Sequence, residues 1–224
     1  MFNVRADICL PISDIMKKQI LVTDDHTIVR KGVVSLLKEN FPFFQTAEAE
    51  TAAETIRFLK QHTYDLLILD LNLPDANAEK VISQVRQEAM NTPIIVFSMF
   101  PVNVMEKPML KLGVSKYVNK GDDLNKLLRA VEEIVLGRVH VEMPEEKQMQ
   151  GESPFAELSP KELSVMMSLF DGKSNKQIAH DLDLSASTVA TYKQRVLEKT
   201  NTSSLTDLLK VAMKFNVYSF LQQT

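Results

Sequence analysis

The chain has 224 residues, 45% of them hydrophobic, and a formal net charge of −3. That length suits two domains, and the composition excludes a disordered or fibrous chain. The charge excludes a globally basic nucleic-acid binder while leaving room for a local basic surface. One cysteine, Cys9, excludes a disulfide framework and fits a reducing cytoplasm. No apolar stretch approaches the roughly 18 residues of a membrane span, so no membrane partner is expected.

Residues 1–18 read as a loose tail. Asp7 and Pro11 interrupt its apolar part, and no small-residue cleavage site follows, so it does not read as a signal peptide. Two readings stay open: a chain that starts at Met16, and a tail that belongs to it.

From 19 to 137 strand and helix alternate. QILVT (19–23) is a short apolar run, and HTIVRKGVVSLLKEN (26–40) has helical spacing. A second strand is expected near FQTAEAE, then a helix over 51–61. LLILD (66–70) is the third strand, followed by a helix over about 78–89. PIIVFS (93–98) and a helix over about 102–112 come next, then KYVNK (116–120) and a helix over 122–137. This alternation predicts an α/β domain with a parallel sheet and right-handed crossovers, in a flavodoxin-like order 2-1-3-4-5.

Residues 138–156 are polar and acidic, with two prolines and a glycine, and read as a linker. From 157 to 224 strand signals vanish. Ser159-Pro160-Lys161-Glu162 is a capping box with proline at the first helical position, and Gly172 stands where that helix should stop. Ser174 to Gln177 is a second box. Ser185 or Ser187 caps a third helix, and Ser204 with Asp207 fits a fourth start. The expected unit is all-α: four helices, with the second and third joined closely enough for a helix-turn-helix.

In open parallel sheets ligands bind at the carboxyl ends of the strands. Strand 1 ends in Asp24-Asp25 and strand 3 in Asp70, and the order 2-1-3-4-5 makes them neighbours. Three converging carboxylates repel one another, and a hard cation such as Mg2+ resolves that conflict. Strand 4 ends in the hydroxyl of Ser98 and strand 5 in the cation of Lys120. Carboxylates, a metal, a hydroxyl and a lysine describe a phosphoryl site, in which the cations neutralise phosphoryl oxygens while a carboxylate attacks.

This half resembles the receiver domain of two-component response regulators. The resemblance implies that Asp70 is the phosphoacceptor, served by a sensor histidine kinase. It implies a Mg2+ site of Asp24, Asp25, Asp70 and the backbone carbonyl of Asn72, with Asp25 the direct ligand of the acidic pair. It makes Ser98 the hydroxyl that follows the phosphoryl group, Lys120 its cation, and Tyr117 the aromatic that turns inward with the switch. One departure stands out. The family's glycine eight residues after the phosphoacceptor is Ala78 here, so the loop before the third helix is expected to differ in shape.

The second half resembles the LuxR-type helix-turn-helix that ends NarL/FixJ-type response regulators, through "LSPKELSVMMSLFDGKSNKQIAHDL" and "LSASTVATYKQRVLEKT". Its third helix, about 186–199, would enter the major groove of double-stranded promoter DNA. By position Ala190, Thr191 and Gln194 would meet base edges, while Lys176, Thr188, Lys193 and Lys199 would hold phosphates. The domain as a whole is nearly neutral, with eight Lys or Arg against seven Asp or Glu over 155–224, so the basic face has to be local. The last helix, with Leu205, Leu208, Leu209 and Ala212, is a candidate face for a homodimer formed on activation.

A phosphatase of the haloacid-dehalogenase type needs D-x-D, and Asn72 occupies the second acid's place, so no enzyme is expected. A regulator that binds DNA without being phosphorylated is disfavoured by the intact acidic set and Lys120. The expectation is a cytoplasmic transcription regulator, switched at Asp70 through the receiver.

Overall fold

The computed structural model describes residues 18–76, 78–89, 91–137, 153–215 and 217. The expected tail, apart from Lys18, and the linker before Ser153 lie outside the described residues. Five strands form one parallel sheet: β1 Gln19–Thr23, β2 Gln45–Ala49, β3 Leu66–Leu69, β4 Ile94–Ser98 and β5 Lys116–Asn119. The order is β2-β1-β3-β4-β5, the flavodoxin-like order expected from the alternation. Every residue of β3 and β4 is buried, which is why these strands read as unbroken apolar runs.

Five helices cover the two faces: α1 Thr27–Asn40, α2 Ala52–Gln61, α3 Ala78–Glu88, α4 Val102–Lys111 and α5 Leu124–Val135. Strand side chains alternate between faces. Ile20, Val22, Leu66, Ile68, Ile95 and Phe97 pack with α1 and α5. Leu21, Leu67, Leu69, Ile94 and Val96 pack with α2, α3 and α4. Each fully buried Leu or Ile contributes about 1.5–3 kcal/mol through removal from water. The functional result is a rigid rim: Asp24, Asp70, Ser98 and Lys120 stand at or just past strand ends that the core holds in register.

The helical part is α6 Pro160–Phe170, α7 Asn175–Asp181, α8 Ala186–Lys199 and α9 Leu205–Lys214. A serine caps each of the four. Ser159 and Ser174 make full capping boxes with Glu162 and Gln177, Ser185 accepts from the Thr188 amide, and Ser204 from the Asp207 amide. Ser185, rather than Ser187, thus starts α8. Helix ends are equally local. Gly172 (φ +75°) takes the left-handed conformation after α6, and its amide and that of Lys173 bond back to the carbonyls of Leu169 and Ser168. Asp183 and Asn201 adopt the same region after α7 and α8, which short polar side chains tolerate.

Packing of this domain starts before the expected boundary. Ser153, Phe155 and Ala156, placed in the linker by composition, are buried, and Phe155 meets Phe215 edge-on with ring centres 6.1 Å apart. A single aromatic inside a polar stretch gives no periodicity, so its burial is not visible in the sequence pattern. α6 also packs against α3 and α4, where Met105, Met109, Leu163 and Met167 join one continuous apolar cluster.

Glu162 ties the helical domain together. It is 2% exposed, accepts from the Ser159 amide at 2.7 Å, and lies 2.6 Å from the Lys199 ammonium at the far end of α8. Burial opposes its ionisation, but Lys199 and the Ser159 donors outweigh burial and hold the carboxyl below its ordinary value. The stabilisation is therefore present above the ordinary value near pH 4.5 and is lost as pH falls through the lowered folded value. Glu162→Gln is expected to cost about 1–3 kcal/mol at pH 7 by chemical denaturation. The gap to the wild type should narrow on acidification, and a gap that does not change with pH would refute the ion-pair account.

Candidate functional site

Asp70 follows the last residue of β3 and is 4% exposed. Its Oδ1 accepts the Leu71 amide at 2.7 Å. Its Oδ2 lies 2.7 Å from Lys120 Nζ, and the same ammonium lies 2.7 Å from Asp24 Oδ2. One lysine from the end of β5 thus serves two buried carboxylates from the ends of β1 and β3. Burial pushes the Asp70 carboxyl up, and the Asp24 charge adds to this, while Lys120 pulls the other way. The charge of Asp70 thus stands in a poorly solvated place, where burial disfavours it.

Asp25 and His26 complete the cluster, and the candidate donor atoms of Asp24, Asp25, His26 and Asp70 lie within 4.8 Å of one another. Asp24 Oδ1 is used, accepting the His26 amide at 2.8 Å. Asp25 Oδ1 is buried and accepts no hydrogen bond. His26 Nδ1 stands 2.7 Å from it, close in distance but not in hydrogen-bonding geometry. A buried carboxylate oxygen without a donor is costly, and a coordinated cation removes that cost. The donor set, all oxygen apart from one exposed imidazole, suits a hard divalent cation.

Ser98 ends β4 and is buried; its carbonyl accepts the Lys120 amide at 2.8 Å, which fixes Lys120 beside it. Tyr117 lies on β5 with its ring turned inward, 7% exposed, and its hydroxyl donates to the Phe100 carbonyl at 2.8 Å. Burial drives the phenol far above its ordinary value, so it stays a donor. Asn72 sits exposed between buried Leu71 and Leu73, in the loop leaving Asp70. The loop closes in a turn bridged from Leu73 to Ala76; Asn77 lies outside the described residues, and Ala78 is the first residue of α3.

Arg30 was not singled out in the sequence. It is 3% exposed, donates to the Asp24 carbonyl at 2.6 Å, and pairs with Glu48 at 3.2 Å and Glu50 at 2.5 Å. The signal was there: Arg30, Val33, Val34 and Leu37 form the inward stripe of α1, and an arginine on an apolar stripe needs partners.

On α8 the described residues separate into two faces. Val189 and Val196 are buried, while Ala190, Thr191 and Gln194 point into solvent on one side, with Ser187 and Arg195 alongside. Lys176 is exposed on α7, and Thr188 and Lys193 are half-buried. Thr188 shares a 2.7 Å hydrogen bond with Ser185 at the cap. Lys199, expected on a phosphate, gives its ammonium to Glu162 and to the Glu157 carbonyl at 3.2 Å.

Comparison with known proteins then decides the family. Residues 20–132 match the response regulator receiver domain, and residues 156–212 match the bacterial regulatory proteins of the luxR family. The chain belongs to the NarL/FixJ-type response regulators. A Pseudomonas aeruginosa relative of this response regulator is 30% identical over 88% of the chain and 97% of its own length. The Bordetella pertussis transcription regulator BvgA is 27% identical, covering 90% of this chain and all of BvgA. Among solved structures, RcsB of Salmonella enterica serovar Typhimurium, bound to a promoter with the phosphomimetic BeF3−, aligns with a TM-score of 0.75. That alignment covers 87% of this chain and 97% of RcsB at 24% identity, a likeness of fold. No described helix of this response regulator is long and apolar enough to cross a membrane.

In EDTA, Lys120→Met leaves Asp24 and Asp70 facing each other without a cation, at an expected cost of about 3–5 kcal/mol. Millimolar Mg2+ should restore most of that loss in a denaturation curve. Equal destabilisation with and without Mg2+ would argue against a metal in the cluster.

Proposed function

We propose that this response regulator is switched by transfer of a phosphoryl group to Asp70 from the phosphohistidine of a sensor kinase. One observation carries the reading: Asp70 is buried at a strand end, shares the Lys120 ammonium with Asp24, and stands beside the unsatisfied oxygen of Asp25. An Asp70 oxygen attacks phosphorus, the P–N bond to the kinase imidazole breaks with its electron pair going to nitrogen, and the imidazole, whose other ring nitrogen already carries a proton, leaves neutral. Mg2+ held by Asp24, Asp25, Asp70 and the Asn72 carbonyl would supply the positive charge that balances the phosphoryl oxygens. Lys120 exchanges a carboxylate oxygen for a phosphoryl oxygen. Ser98 meets the new group, and Tyr117, already inward on Phe100, holds the switched arrangement of β4 and β5.

The output is promoter binding by the helical domain. Ala190, Thr191 and Gln194 meet base edges in the major groove, and Lys176, Thr188 and Lys193 hold phosphates. Lys199 is assigned to the fold through Glu162 rather than to DNA. A homodimer formed through α9, whose Met213 is 55% exposed, would place two reading helices on half-sites about one helical turn apart. The setting is the cytoplasm, where kinase, Mg2+ and promoter meet.

Incubation with acetyl phosphate and Mg2+ should label the wild type and leave Asp70→Asn unlabelled, with molecular mass rising only in the labelled protein. An unlabelled, folded wild type would refute the phosphorylation reading. For DNA, Lys193→Ala should weaken binding to all sequences alike and reduce the slope of log K against log salt by about 1. An unchanged slope would remove Lys193 from the interface.

A further inference from the structure

Asp75 has no part in the site described above, yet its carboxylate makes a built contact. Oδ1 accepts the Ala52 amide at 2.8 Å and Oδ2 accepts the Ala53 amide at 2.9 Å. These are the first two amides of α2. The next, Glu54, donates to Thr51 Oγ1 at 3.1 Å, and the Thr55 amide reaches the Thr51 carbonyl at 3.0 Å. The first turn of α2 is thereby fully satisfied, half of it by a residue from the loop after β3. A carboxylate suits that place, because a helix N-terminus offers unpaired amides and partial positive charge.

The loop that Asp75 ends is the one that carries Asn72. Leu71 and Leu73 are buried on either side of Asn72, which fixes the loop from beneath. Asp75 stands at the tip of the Leu73–Ala76 turn, and its grip on α2 fixes the far end. Arg30 does the equivalent for the other arm of the cluster, holding the Asp24 carbonyl while paired to Glu48 and Glu50. Both arms are thus anchored on one stretch, residues 48–53, which supplies no ligand itself.

We propose that Asp75 is a positioning residue for the metal site: its bidentate hold on the α2 N-terminus sets where the Asn72 carbonyl stands, and so how tightly Mg2+ binds. The assignment rests on the function proposed above. Groups that orient metal ligands commonly change metal affinity about 10- to 100-fold when removed.

The test measures Mg2+ binding by calorimetry, and the Mg2+ dependence of labelling by acetyl phosphate, on the full chain. Wild type, Asp75→Ala and Asp75→Asn are compared, with circular dichroism as the check on folding. Asp75→Ala should raise the Mg2+ concentration for half-maximal labelling about 10-fold and leave the rate at saturating Mg2+ close to wild type. Asp75→Asn keeps an oxygen for one of the two amides and should fall between, which keeps the test valid if the alanine variant does not fold. A lower melting temperature with unchanged half-saturation would make Asp75 a plain helix cap and overturn the proposal alone. A wild type that neither binds Mg2+ nor accepts phosphate would overturn the proposed function and this inference with it.

Discussion

Two carboxylates and one ammonium, buried together at the open end of a parallel sheet, set the terms for the rest of the receiver. Asp24 and Asp70 share Lys120, with both contacts at 2.7 Å. Among the described residues Lys120 is the one ammonium in contact with both carboxylates, while the buried Arg30 guanidinium reaches the Asp24 carbonyl and not its carboxylate. The sheet makes this tolerable by rigidity. β1, β3 and β4 are held in register by buried Leu, Ile and Val, and β5 is paired to β4 along its length, which limits how far the charged groups can separate. A site with two buried carboxylates on one ammonium and limited room to relax is suited to divalent metal and phosphoryl chemistry.

The supports around the cluster are polar and local, and they sit mostly on helix starts. Arg30 reaches back from the first turns of α1, Asp75 closes the start of α2, and Asp123 caps α5. The helical domain follows the same rule with four serine caps, and the ion pair of buried Glu162 with Lys199 joins the start of α6 to the end of α8. In both domains apolar packing fixes the layers, and capping fixes where each helix begins. The functional residues depend on the second as much as on the first.

Much of this was legible in the sequence. The run Leu66–Leu69 into Asp70 showed a buried strand delivering a carboxylate to a rim, and the alternation of strands and helices gave the sheet order that brings Asp24 beside it. The capping boxes at Ser159 and Ser174 marked two helix starts to the residue. What escaped is long-range and chemical rather than periodic. Phe155 is one aromatic in a polar stretch, and its burial depends on Phe215, some sixty residues on. The ion pair of Lys199 is hidden as well, because helical phase does not reveal Glu162, a buried acid on another helix. The Asp75 contact is equally hidden, because its partners are backbone amides, which carry no sequence signature. Arg30 alone broke a pattern visibly, as a charge on an apolar stripe.

The face of α8 that carries Ala190, Thr191 and Gln194, proposed above to read bases, stands open to solvent, while α6 packs against the receiver. The receiver therefore does not shield that face from a duplex. Control in such an arrangement is a matter of thermodynamic linkage rather than of blocking, and linkage runs both ways. Whatever factor separates the promoter affinities of the two receiver states, the same factor must separate their populations once promoter is bound. DNA is then an effector of the receiver as surely as the receiver is a governor of DNA binding, and the promoter helps set how much of this regulator is switched on.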